Sequence, residues 1–341
     1  MSRIQCIHTY EDIISVENLL LAWREFERGK RKKKDVQDFS LHLMDNIISL
    51  HEDLKSKRYA HGPYEAFNIN DPKPRNIHKA SVRDRLVHHA ICRILYPFFD
   101  RTFISDSYSC RIGKGTHRAI KRFISFDHKV SKNNTRTCWV LKCDIRKFFA
   151  SIDHKILFRI LEKYIPDQDI LWLLRHIISS FHSNFHTSIP PTVRIDVCTP
   201  HSNMGVAGLP LGNLTSQLLV NIYMNEFDQW VKRTLKAKHY IRYADDFVIL
   251  SNNRVWIVSL IQQISNFLAQ YLKLSLHPDK VYIKTLASGI DFLGWVHFPH
   301  HRVLRTATKR KMMRKLKENS SEATRASYRG LLKHGNGYKL S

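Results

Sequence analysis

At 341 residues the chain is long enough for two ordinary domains or one large one with subdomains, and 43% hydrophobic residues exclude a disordered tail. Lys and Arg total 55 against 30 Asp and Glu, and this formal charge of +25 implies a polyanionic partner, nucleic acid before an acidic membrane surface. No apolar run approaches the ~20 residues of a membrane span and no signal-peptide stretch opens the chain, so a soluble, cytoplasmic protein with no membrane partner is expected.

Residues 1–60 are predicted to be a basic helical region. Leu19, Leu20, Trp23 and Phe26 form one apolar face, and Phe39, Leu43, Ile47, Leu50 and Leu54 a second, at spacings of three and four. Between them the run from Lys30 to Lys34 suits phosphate contact better than an idle solvated turn. Tyr64–Ile69 and Arg75–His78 read as strands around the turn Asp71-Pro72-Lys73-Pro74, a stiff hairpin with cations at its tip. Ser81 is placed to cap the next helix, whose first turns carry Arg83, Asp84 and Arg85. These side chains either grip a triphosphate or make a surface salt-bridge cluster through Asp84.

The stretch Cys110 to Thr116 lacks the spacing of a phosphate-binding loop. Gly115-Thr116 is better read as a helix start, with Ile120, Phe123 and Ile124 inward, followed by a polar connector over 127–137. Cys138 to Asp144 is a buried-type strand ending on a carboxylate, and Ser151-Ile152-Asp153 can cap a helix carrying Ile156, Leu157, Ile160 and Leu161. An irregular, mobile loop is expected over 178–207. Gly208-Leu209-Pro210-Leu211-Gly212 then leads into a helix from about Leu214 to Val231 that buries Leu219, Ile222, Tyr223 and Phe227. Strands at His239–Arg242 and Phe247–Leu250 flank Tyr243-Ala244-Asp245-Asp246, the pattern of a hairpin. An amphipathic helix presents Ile257, Leu260, Ile261, Ile264, Phe267, Leu268 and Tyr271 to a core. Strands are expected at Val281–Lys284 and Ile290–Val296, with Gly294 marking a close approach or a bulge. A cationic helix is expected over Arg302–Lys317.

Adjacent carboxylates at a tight turn repel unless a cation neutralises them, and a hard cation such as Mg²⁺ binds through one or two carboxylates plus substrate phosphates. Asp245-Asp246 is thus either an ordinary hairpin turn or part of a metal site, and Asp144 either a structural strand end or a third oxygen ligand. Two ions ~4 Å apart clamp the attacking and leaving oxygens of an in-line phosphoryl displacement. Six cysteines without a C-x-x-C pair suggest neither a zinc ribbon nor a disulfide framework. His182 and His186 have helical spacing, but a loop-rich surface accounts for them better than a zinc site.

The order of these motifs is more specific than any one of them. An aspartate closing a strand, a Gly-Leu-Pro loop and helix, Tyr-Ala-Asp-Asp, then Phe-Leu-Gly-Trp resembles the palm of bacterial reverse transcriptases, from about Asp71 to the C-terminus. The resemblance implies an α+β right-hand polymerase with a ferredoxin-like palm, a short helical thumb and basic N-terminal helices ahead of it. Its parts would be the N-terminal region 1–60, fingers 61–140 and 155–207, palm 141–154 and 208–300, and thumb 301–341. Asp144, Asp245 and Asp246 match the metal-binding carboxylates, implying two Mg²⁺ ions with Mn²⁺ as a substitute. Lys280 matches the lysine that protonates the leaving pyrophosphate, or is a surface lysine. The deoxynucleoside triphosphate would meet Lys73, Arg75, Arg83, Phe149, Leu211 and Gln217. In that set Phe149 would exclude a ribose 2′-hydroxyl, or be a core Phe beside Phe148. Phe292, Leu293, Gly294 and Trp295 resemble the primer grip.

One departure refines the resemblance. Many family members carry Gln after Pro in the Leu-Pro-x-Gly loop, whereas this chain carries Leu211. The run Gly208 to Gln217 is most similar to reverse transcriptases of diversity-generating retroelements, as are Lys73-Pro74-Arg75, the stretch Arg83 to Ala90, Tyr108 to Arg111 and Lys114 to His117. That likeness implies error-prone copying of an element-encoded template RNA from a DNA or RNA primer, with a small basic accessory protein. A domesticated reverse transcriptase in phage defence, working with a non-coding RNA, fits the same residues. An RNA-binding protein with a vestigial site fits them less well, because drift would damage so costly a charge cluster.

Overall fold

Leu19, Ala22, Trp23 and Phe26 recur at helical spacing, and they are the buried face of the helix Val16–Phe26. Ser15 caps that helix by accepting from the Asn18 amide, and its buried face packs on the helix Val82–Asp100. A second helix, Leu43–Lys55, buries Ile47, Leu50 and Leu54. The computed structural model describes residues 4–69, 74–181, 207–318 and 321–335. It contains two compact units, each assembled from non-contiguous stretches of chain.

The first unit comprises the chain up to Ile104, Lys147–Gln229 and Leu268–Leu274. Strands β1 (Glu65–Ile69) and β2 (Arg75–Lys79) form its antiparallel hairpin, in register from Glu65↔Lys79 to Ile69↔Arg75. Ser81 caps the helix Val82–Asp100 as expected. The helices His154–Glu162 and Gln168–Ser179 are capped by Asp153 and Asp167. The helix that begins at Leu214 runs to Arg233 and buries Leu219, Ile222, Tyr223 and Phe227. Of the five consecutive cations, Lys30 donates to the Phe26 carbonyl at 2.8 Å and Arg31 pairs with Glu27 at 2.6 Å. Part of that run therefore closes its own helix end.

The second unit comprises Ser105–Arg146, Trp230–Phe267 and the chain from Ser275. Its sheet contains β3 (Trp139–Asp144), β4 (Tyr240–Tyr243), β5 (Asp246–Ser251) and β6 (Tyr282–Thr285), all antiparallel in the order β4-β5-β3-β6. The first strand in sequence thus lies between the third and fourth, the ferredoxin-like order. Because β3 is central, Val140, Leu141 and Cys143 are fully buried, which explains its near-continuous apolar run. The helix Thr116–Val130, starting at Gly115-Thr116, packs Phe123, Phe126 and Val130 against Val140, Ile241 and Val248.

Four expectations need correction. The stretch 290–296 is not one strand: β7 (Ile290–Phe292) and β8 (Trp295–His297) form a hairpin through Leu293-Gly294, joined by β9 (Arg302–Leu304). The cationic segment therefore opens as a strand, and its helix spans Thr306–Glu318. The connector expected over 127–137 starts later, since the helix continues to Val130. Tyr271 faces solvent at 63% exposure, so the core face of the helix Arg254–Leu272 passes through Leu268 and Leu272 instead. Residues 182–206, with His182 and His186, and the tip 70–73, with Lys73, lie outside the described residues. No described helix is long and apolar enough to cross a membrane.

Candidate active site

The pairing of β3 with β5 sets Asp144 directly opposite Asp246. The β4–β5 hairpin closes on Tyr243↔Asp246, which leaves Ala244 and Asp245 as its two-residue turn. Ala244 sits at φ 57, a left-handed conformation that costs an alanine about 1–2 kcal/mol, so the surrounding contacts have to hold it. The Ile145 amide donates to the Asp245 carbonyl at 3.1 Å, tying the turn to the end of β3. On the other side of Asp144 the His277 amide donates to its carbonyl at 2.8 Å. That contact fixes the 3₁₀ turn Pro278–Lys280, and Lys280 Nζ then reaches Asp144 Oδ1 at 2.7 Å.

Ladder geometry thus brings Asp144, Asp245, Asp246 and Lys280 to one end of one sheet. Burial pushes the Asp246 carboxyl up to about 7, with repulsion from Asp144 and Asp245 adding to the rise and Lys142 opposing it. A carboxylate in that position calls for a countercharge. Among the described residues, no three His, Cys, Asp or Glu side chains converge as a ready chelate. The donor set nevertheless fits a hard divalent cation: three carboxylates, one of them with a buried Oδ1 that faces only the Lys142 ammonium, 3.2 Å away.

Two residues of this site carry no motif signal. Lys142, two positions before Asp144 on β3, places Nζ 3.2 Å from Asp246 Oδ1 while only 8% of its side chain is exposed. Arg242, on β4, is completely buried. Its Nη1 donates to the Ala244 carbonyl at 3.0 Å and its Nη2 to Ser107 Oγ at 3.1 Å, so a guanidinium underpins the turn that carries Asp245. The only available clue was a charged residue inside each apolar strand.

The residues expected at the triphosphate belong to the first unit. Phe149 lies in the 3₁₀ turn Phe148–Ser151, and its carbonyl accepts from the Leu209 amide at 2.9 Å. The Gly208 carbonyl is 2.7 Å from His154 Nε2. The Gly-Leu-Pro loop is thereby stitched to the aromatic turn. It is also stitched to the hairpin: the His78 amide donates to the Leu211 carbonyl at 2.9 Å. Gly212 has φ +113, and a Cβ there would come within 2.9 Å of Ile77 Cγ2. Gly212→Ala is accordingly expected to destabilise this unit by about 1–3 kcal/mol through strain and overpacking. Thermal unfolding checks this, and an unchanged midpoint would mean that β2 yields at no cost.

Arg75 is exposed at the start of β2. Arg83 donates to Asp53 at 2.6 Å and lies over the Tyr59 ring, while Arg85 donates to Asp35 at 2.6 Å. Neither arginine pairs through Asp84, which instead accepts from Tyr59 and Ser81 at 2.8 and 2.6 Å. Gln217 lines a recess of about 410 Å³ with Phe26, Lys30, Arg85 and Gly212. In the second unit, Leu293 and Gly294 form the β7–β8 turn, both at positive φ, and Phe292 pairs with Trp295.

The family model described as reverse transcriptase (RNA-dependent DNA polymerase) matches residues 69–297. Protein YkfC of Escherichia coli is 27% identical over 301 residues, which cover 78% of this chain and 73% of that protein. The group II intron-encoded protein LtrA of Lactococcus lactis is 21% identical over 319 residues, covering 74% of this chain but 49% of LtrA. Among solved structures, apo telomerase from Candida tropicalis matches with a TM-score of 0.51 at 11% identity, over 77% of this chain and 60% of that one. That likeness shows the fold, a right-hand polymerase.

Proposed function

Given that the chain belongs to the reverse transcriptase family of RNA-dependent DNA polymerases, we propose that it copies an RNA template into DNA at the end of the β3–β5 ladder. The observation that carries this reading is the register of Asp144 against Asp246, with Asp245 in the adjoining turn and Lys280 on Asp144. Enzymes of this family use divalent metal ions. Asp144 and Asp245, with Asp246, would hold two Mg²⁺ ions, for which Mn²⁺ can substitute. Once bound, such ions favour the ionised primer 3′-oxygen and neutralise charge on the phosphates.

The remaining roles belong to the chain's own groups. The primer 3′-oxygen bonds to the α-phosphorus of the incoming deoxynucleotide, the α–β bridging bond breaks, and pyrophosphate leaves. Lys280 is the proton donor to that leaving group. Phe149 would exclude a ribose 2′-hydroxyl, and Lys73, Arg75 and Arg83 would meet the triphosphate. Leu211 and Gln217 bound the nascent pair, and the Phe292–Trp295 turn supports the primer. Fingers are assigned to 61–140 and 155–207, palm to 141–154 and 208–300, and thumb to 301–341, after the basic region 1–60.

Primer extension by the purified protein tests the reading. DNA synthesis on an RNA template, dependent on Mg²⁺ or Mn²⁺, is expected. No synthesis on any RNA template, with either metal, would overturn it.

The finer role favoured is mutagenic copying in a diversity-generating retroelement, with a small basic accessory protein. Leu211 supports it, because an apolar side chain cannot donate a hydrogen bond to the forming base pair. Leu211→Gln is expected to lower misincorporation opposite template adenine by about tenfold, the scale of one recovered hydrogen bond. An unchanged error spectrum in a gap-filling assay would remove Leu211 from the explanation. Faithful copies of a host non-coding RNA by the unaltered protein would favour phage defence instead.

A further inference from the structure

At the opposite end of β3 from Asp144, two recesses of about 390 and 190 Å³ adjoin and share Asp127, Leu286, Pro299 and His300 as walls. Five residues of rise separate Trp139 from Asp144, roughly 17 Å along the strand, so this depression lies well away from the carboxylate centre. Asp127, on the helix Thr116–Val130, is 3% exposed, and its Oδ1 is buried with no hydrogen-bond partner. The Cys138 thiol donates toward the same carboxyl group, and burial raises the Asp127 pKa. A buried carboxyl oxygen without a donor is costly, and Asp127 belongs to the wall of a cavity within the ~300–1,000 Å³ range of ligand sites.

The rim has the opposite charge. Arg136 stands on the exposed loop before β3, Arg302 lines the smaller recess from β9, and the imidazoles of His128 and His300 lie close enough to act on the Asp127 charge. A simple cation would satisfy Asp127 but be repelled by the rim. A simple anion would suit the rim and leave Asp127 without a donor. A ligand that satisfies both carries N–H donors at one end and negative charge at the other. We infer that this depression is a second nucleotide site, in which Asp127 accepts from the amino edge of a base and Arg136 and Arg302 face its phosphate. Guanine, adenine and cytosine offer an amino group to Asp127. Uracil fits worst, because its one N–H is flanked by two carbonyl oxygens that oppose a carboxylate. The same chemistry can come from a free nucleotide or from an unpaired residue of bound RNA.

Equilibrium titration of the full chain in EDTA, which suppresses metal-dependent binding at Asp144, Asp245 and Asp246, tests the site. The probes are GMP, UMP, and single-stranded hexamers of cytidylate and of uridylate. Asp127→Ala and Arg136→Glu are each expected to weaken the amino-bearing probes roughly tenfold or more, the scale of a lost charge-assisted contact. Primer extension on an ordinary RNA template should stay unchanged in both variants. Arg136 is exposed, so its substitution keeps the test decisive even if Asp127→Ala impairs folding. Weakening seen with GMP identifies a free-nucleotide site, and weakening confined to the cytidylate hexamer identifies an RNA residue. Equal affinity for amino-bearing and uracil probes, or binding by Arg136→Glu as tight as wild type, overturns the inference.

Discussion

Asp245→Ala should lose DNA synthesis on the order of 10³-fold or more, the scale of removing a preorganised charge partner from a transition state, while RNA affinity stays within about twofold. The residue sits in a two-residue turn whose backbone is tied to the end of β3 by the bond from Ile145. Deleting the side chain leaves that tie intact and removes a negative charge from beside Asp246, so the fold should tolerate it. RNA binding is carried by a chain with 55 cationic side chains, and one carboxylate changes little there. Primer extension and filter binding on the same preparation separate the two quantities. Synthesis above a tenth of wild type would remove Asp245 from the reaction. Joint loss of synthesis and binding would instead indicate unfolding, which a melting curve would reveal.

Arg242→Met should be nearly as damaging by a different route. The guanidinium is completely buried and donates to both the Ala244 carbonyl and Ser107 Oγ. Methionine of similar length leaves both acceptors without those donors, at about 2–4 kcal/mol, and should lower the melting temperature by roughly 5–10 °C. Synthesis should fall further than stability alone explains, because the lost bond supports an alanine at φ 57 next to Asp245. Arg242→Lys keeps the charge but not the fork, and should fall between the two. Wild-type melting and extension rates in Arg242→Met would show that the turn holds itself.

The Tyr243–Asp246 hairpin was legible in the sequence because apolar, β-branched and aromatic runs flank a short polar break, and these runs, Tyr240-Ile241 and Phe247 to Leu250, are buried. The helix caps at Ser81 and Asp153 were legible for a similarly local reason. The β7–β8 turn was not. A two-residue turn with both φ angles positive is normally announced by Asn-Gly, and here Leu293 occupies the first position at φ 53. The strand Arg302–Leu304 was hidden by the cations that follow it, since three residues are too few for periodicity to outweigh composition. The ion pairs of Arg83 with Asp53 and of Arg85 with Asp35 were hidden because those acids are remote in sequence. The motif order marked Asp144, Asp245 and Asp246 as the candidate site. Lys142 and Arg242 escaped because a charge inside a buried strand gains meaning only when its partner across the sheet is known.

Strand β1 is exposed at every position and pairs with β2 alone, and β2 is held at its far end by the His78 amide on Leu211. A two-stranded ribbon is marginal in water, so this one should open far more often than the sheet around β3. In a deuterium-exchange time course, the cross-strand amides of 65–69 should label within the earliest intervals, and that of His78 markedly later. The β3 amides should label only on global opening. The ribbon would then behave as a hinged flap whose pivot is the end of β2, where His78 meets Leu211 and Asn213 and Lys79 meets Asp35, so that any ligand that slows exchange at its free end reports contact transmitted to that anchored end.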